Sequence, residues 1–144
     1  MTEPWAVLRR EYAGDLKTLH AARRDAVEWF QAQAADEPTR DQAALIVSEL
    51  CSNAIQNSPG LAYDLQIVRL DDDHAAISVR KQPAGTLPPP HEDWQPAGHL
   101  SLKEQSLRGR GLAIVDSLSE DVAVEHFDDT LVLTATVRIN HQPT

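Results

Sequence analysis

Glu49, Asn53 and Asn57 recur at intervals of four. On a helix they form one line, drifting roughly 40° per step. Around them Ala43, Ile46, Val47, Leu50, Cys51, Ala54 and Ile55 make a broad apolar arc. The polar line runs along the border of that arc rather than on the opposite face. A carboxylate and two amides at the edge of a core are arranged as the wall of a site. Partial desolvation there suits Glu49 to act as a general base. Asn53 offers a neutral oxygen to a hard cation such as Mg²⁺. The same residue types also occur on plain helix flanks, so this line does not by itself name a reaction.

A second stretch, Leu107 to Leu118, reads LRGRGLAIVDSL. Gly109 and Gly111 open a short apolar helix, and Arg108 stands just before them. Glycines at such a turn let backbone N–H groups approach an anion, and the start of a helix adds positive potential. A simple turn into a helix has the same look.

The elements that must position these residues follow from pattern. Trp5 to Tyr12 leans towards a strand, which Gly14-Asp15 ends. Asp15 is the expected N-cap of a helix reaching about Ala34. Leu16, Leu19, Ala26, Val27 and Phe30 share its apolar face, with Arg23 in the middle. That arginine either snorkels at the core edge or presents a charge to a partner. Asp36-Glu37-Pro38 is read as a break, and Thr39 with Gln42 as the capping pair of the next helix. This helix carries the Glu49 line and stops at Ser58-Pro59-Gly60. Tyr63 to Leu70 and His74 to Arg80 alternate as paired strands across an acidic turn. Lys81 to Leu107 is proline-rich and aperiodic, the length of a functional loop. Asp121 to His126 and Thr130 to Ile139 form a hairpin across Asp128-Asp129, and the tail from Asn140 is expected to fray. The order predicts an α+β fold: a two-layer sandwich with a mixed, mostly antiparallel sheet and helices on one face.

Composition narrows the function classes. The 144 residues suffice for one domain, taken as 1–144, with a loop at about 81–107. A net charge of −9 argues against binding nucleic acid. No apolar run approaches the ~20 residues of a membrane span, and no signal peptide opens the chain. The single cysteine, Cys51, leaves no internal disulfide, and the six histidines show no ligand spacing. The cytoplasm is the expected compartment.

Taken together, the two stretches resemble the N box and G2 box of the GHKL ATPases, and most closely the stand-alone anti-sigma-factor serine/threonine kinases. The residues that carry the resemblance are Ser48-Glu49-Leu50, Asn53-Ala54 and Gly109-Arg110-Gly111-Leu112. It implies the Bergerat ATP-binding fold, with ATP and Mg²⁺ as cofactors. Glu49 would activate a serine hydroxyl and Asn53 would hold Mg²⁺, with Asn57 beside it. Gly109, Arg110 and Gly111, followed by Leu112, would cradle the phosphates. The 81–107 loop would be a lid, from which Lys103 or Arg108 reaches the phosphates and Trp94 packs it shut. The implied partners are an anti-anti-sigma protein of the STAS type and a sigma factor, and a homodimer is compatible with such a protein. Asn57 stands where relatives often carry histidine.

One motif departs from the family. Its Asp-x-Gly-x-Gly stretch, whose carboxylate accepts the adenine amino proton, corresponds here to Lys81-Gln82-Pro83-Ala84-Gly85. Only Gly85 agrees, and a lysine cannot accept that hydrogen bond. Two functions follow as expectations: an ATP-dependent protein kinase acting on an anti-anti-sigma partner, or a non-catalytic module that sequesters a partner with weak or lost ATP binding. A sensor histidine kinase fragment fits less well, because no helical hairpin carries a phosphoacceptor histidine.

Overall fold

The computed structural model describes residues 7–85, 87–94 and 110–143. Their order is β1 (Val7–Tyr12), α1 (Thr18–Ala32), α2 (Glu37–Asn57), β2 (Tyr63–Arg69), β3 (His74–Lys81), a short 3₁₀ turn (His91–Asp93), α3 (Arg110–Leu118), β4 (Asp121–Phe127) and β5 (Thr130–Arg138). The five strands form one sheet in the order β1-β2-β3-β5-β4. Each pairing is antiparallel, so the expected mixed sheet has no parallel pair among the described strands.

Alternation along the strands divides the sheet into two unlike faces. Leu8, Ile67, Ile77 and Ala135 lie in register across four strands and are buried. Leu65, Val79 and Leu133 make the next buried row. Against these rows pack Ile46, Val47, Leu50, Cys51 and Ile55 of α2, with Leu112 and Val115 of α3. Ala22, Ala26, Trp29 and Phe30 bury the inner side of α1. The other face carries Arg9, Gln66, Ser78 and Thr134 in one row, and none of the described helices packs on it.

Several local expectations are corrected. Helix α1 begins at Thr18, and Asp15 does not cap it: its Oδ1 accepts from Lys17 N at 2.9 Å within the turn that precedes the helix. Leu16 therefore lies ahead of the helix and is 55% exposed, while Ala22 and Trp29 take the buried positions. Arg23 is exposed. Asp36 caps α2, accepting from Thr39 N at 2.9 Å. Pro38 sits in the first turn, where a missing N–H leaves no bond broken, so the supposed break is the helix start. The tail up to Gln142 is tied down. Asn140 O accepts from Asp36 N at 2.7 Å, and Gln142 N donates to Ala34 O at 2.9 Å. The backbone groups left over where α1 ends find partners there. The expected hairpin is present, with both Asp128 and Asp129 at positive φ, as a two-residue turn of this hand requires.

Candidate functional site

The polar line of α2 lies where its spacing placed it, beside the core. Asn53 is only 4% exposed, and Glu49 and Asn57 are half-buried. Asn57 Nδ2 donates to Asn53 Oδ1 at 3.1 Å. An amide oxygen accepts twice, so this bond orients Asn53 and leaves one lone pair for a cation or another donor. Among the described residues, no group of three His, Cys, Asp or Glu side chains gathers to hold a metal.

The first turn of α3 closes on this line. A Cβ built on Gly111 would stand 2.6 Å from Glu49 Oε2. With glycine there the helix start and the Glu49 carboxylate approach without either shifting, and that brings the two sequence stretches into one place. Leu112 is fully buried and holds α3 against the core, so its part is packing. Arg110 opens the helix. Arg108 and Gly109 lie outside the described residues, as do Trp5, Lys103 and residues 95–107 of the expected lid. The described part of that segment is anchored: Trp94 is buried, its Nε1 donates to Pro89 O at 2.9 Å, and His91 Nε2 lies 3.0 Å from Asp116 Oδ2 on α3.

At the other end of the line, strand alternation turns Lys81 inward, on the same side as Val79 and Ile77. Lys81 is 2% exposed, and its Nζ donates to Ala54 O and, at 2.8 Å, to Ser58 O. The ammonium thus serves the C-terminal end of α2 and does not point into an open pocket. Burial lowers its pKa to about 8. Gly85 has φ +69°, and a Cβ there would stand 1.9 Å from Ser58 Oγ and 2.9 Å from Asn57 O. Ala84, between them, is buried. Gly85 is therefore a packing contact with α2, and no room is left beside it for even a methyl group.

ATP can be tested against these two ends. At the α3 end the Glu49 carboxylate takes up the space over Gly111, and Arg108 and Gly109 of that turn lie outside the described residues. The base end does not fit. A bound ammonium stands where an acceptor for an amino group is required, and the turn after β3 is packed against the helix.

Pattern reading missed a further feature on the open sheet face. Arg9, Asp64, Gln66, Ser78, Arg80 and Val132 line a cavity of about 260 Å³. Neither arginine pairs with a carboxylate among the described residues. The strand registers place these side chains together, and only tertiary pairing reveals it.

Comparison with known proteins agrees with this architecture. No curated protein matches the sequence. Among solved structures, the fold is similar to the crystal structure of the RsbU and RsbW domains of Rv1364c from Mycobacterium tuberculosis, with a TM-score of 0.65 and 16% identity. The likeness covers 96% of this chain and 34% of that one, so the chain spans about a third of its length. At that identity the likeness is one of fold, and it supports the GHKL-type fold read from the two motifs. Residues 12–137 match the histidine kinase-like ATPase domain. That match takes in β2, β3, β4, all of β5 but its last residue and the three described α-helices, with only the last residue of β1, and the chain belongs to the histidine kinase-like ATPase domain family.

Proposed function

We propose that this chain is an anti-sigma-factor-like regulator that acts by holding a protein partner, with ATP binding weakened or lost. The observation that carries this reading is the exchange at the base end. Lys81 is a donor already engaged with Ala54 and Ser58, where the family's nucleotide needs an acceptor. An anti-anti-sigma protein of the STAS type and a sigma factor are the partners this reading names, in the cytoplasm. No described helix is long and apolar enough to cross a membrane.

A second reading, an ATP-dependent serine/threonine kinase with Mg²⁺, is favoured by the other end of the site. Glu49 lies against Gly111, and Asn53 is held by Asn57, as a base and a cation ligand would have to be. The two readings separate in one experiment. The chain is mixed with a candidate STAS-type protein and a candidate sigma factor, with and without Mg·ATP. Co-elution from a sizing column and phosphate on the STAS protein are then measured. The first reading expects a complex without ATP and no phosphoprotein. Phosphate transfer that Glu49→Gln abolishes would establish the kinase, and no complex with either protein would sink both.

A further inference from the structure

We propose that Lys81 is the specificity-determining residue of the base end: it bonds from within the chain to the carbonyls that close this end, so that the folded site does not depend on nucleotide. The inference rests on the partner-binding reading above and deepens it.

The argument starts from the end of α2. The last four carbonyls of a helix lack N–H partners within it, and this end carries negative potential. The last turn of α2 holds no basic residue of its own. The cation comes instead from β3. Lys81 is the last residue of that strand, paired with Leu131, and alternation leaves it no direction but inward. A buried cation is stable only with partners, and Ala54 O and Ser58 O supply two. An aspartate at this position would face the same carbonyls, acceptor against acceptor. It would then require a donor brought by a ligand, which is the role of an amino-bearing base. Lysine reverses that requirement: its N–H groups meet the carbonyls directly, and nothing has to be brought in. The turn that follows completes the closure, with Ala84 buried and Gly85 set against Ser58.

The test is thermal unfolding of the full chain with Mg·ATP titrated past about 1 mM, together with amide exchange in the last turn of α2. Wild type should show the same midpoint with and without Mg·ATP. Lys81→Met should lower the midpoint and speed exchange at the end of α2 by about tenfold or more, and Lys81→Arg should recover part of the loss. Lys81→Asp combined with Pro83→Gly should gain a midpoint that rises with Mg·ATP. A saturable rise in wild type would overturn the proposal. So would wild-type exchange rates in Lys81→Met. Should the double variant not fold, the wild-type titration and the Lys81→Met exchange still decide. Absence of a protein partner would leave these readouts unchanged and would sink only the partner reading; wild-type exchange rates in Lys81→Met would sink only the role of Lys81, whereas a saturable rise in wild type would remove weakened ATP binding from both.

Discussion

The two ends of the α2 site are built from the same helix and have opposite character. At the phosphate end, Glu49 meets a glycine at the start of α3, and the contact is between a flexible side chain and a space that one carbon would fill. At the base end, Lys81, Ala84 and Gly85 are packed into the helix terminus through backbone carbonyls and the Ser58 side chain. The contact at the first end is with the tip of a side chain that can move, whereas the contacts at the second are with backbone and a short side chain. On the proposed reading, the difference is that of a site whose one half keeps its residues while the other is absorbed into the core.

Equal substitutions at the two glycines should break or support this contrast most sharply. Gly85→Ala places a side chain at positive φ and against Ser58. It should destabilise the fold by about 3 kcal/mol in urea unfolding. Gly111→Ala should cost less than about 1 kcal/mol, because Glu49 can swing its carboxylate aside. Similar losses at both positions would erase the distinction. If the phosphate end does take nucleotide, Gly111→Val should weaken it at least tenfold, roughly 1.4 kcal/mol, by calorimetry.

Next in size is Lys81→Met, which removes the ammonium from Ala54 O and Ser58 O, leaves Ser58 O only the Leu61 N–H at 3.3 Å, and should cost about 1–3 kcal/mol. Asn53→Ala should cost about 1 kcal/mol through loss of the Asn57 bond. Glu49→Gln should leave stability nearly unchanged and remove any phosphate transfer. A Glu49→Gln protein that unfolds as readily as Lys81→Met would make Glu49 structural and the two ends alike.

The smallest expected effect lies away from both ends and serves as a control. His74 has Nδ1 at 2.9 Å from Asp71 Oδ1 and Nε2 at 3.0 Å from Glu120 Oε2. The Asp71 carboxylate, helped by Glu120, raises its pKa above the ordinary histidine value. The stabilisation is fully present below the unfolded value and is lost as pH rises through the raised one. The midpoint difference between wild type and His74→Gln should therefore shrink between about pH 5.5 and about pH 8.5.

Sequence alone determined the kinds of elements and the two motifs. Periodicity located α2, β2, β3 and the final hairpin, because one face of each must be buried and the repeat lengths of helix and strand differ. The i, i+4 spacing placed Glu49, Asn53 and Asn57 on one line, since that geometry is local to a helix. Residue type also showed that Lys81 cannot accept a hydrogen bond. What it could not show was where the ammonium goes, because Ala54 and Ser58 are remote in sequence and come near only when β3 packs on α2. The same holds for Gly111 against Glu49 and for Arg9 and Arg80 on one cavity. Helix starts were misplaced where a cap competes among neighbours: Asp36 and Thr39 both had suitable side chains, but Asp36 accepts from Thr39 N while the Thr39 hydroxyl accepts from the remote Asn140 N. The tail was tied down by carbonyls and amides of a distant connection, a pairing that only the folded chain brings together. Tertiary structure decided these points because each is a contact between segments whose separation in sequence carries no local signal.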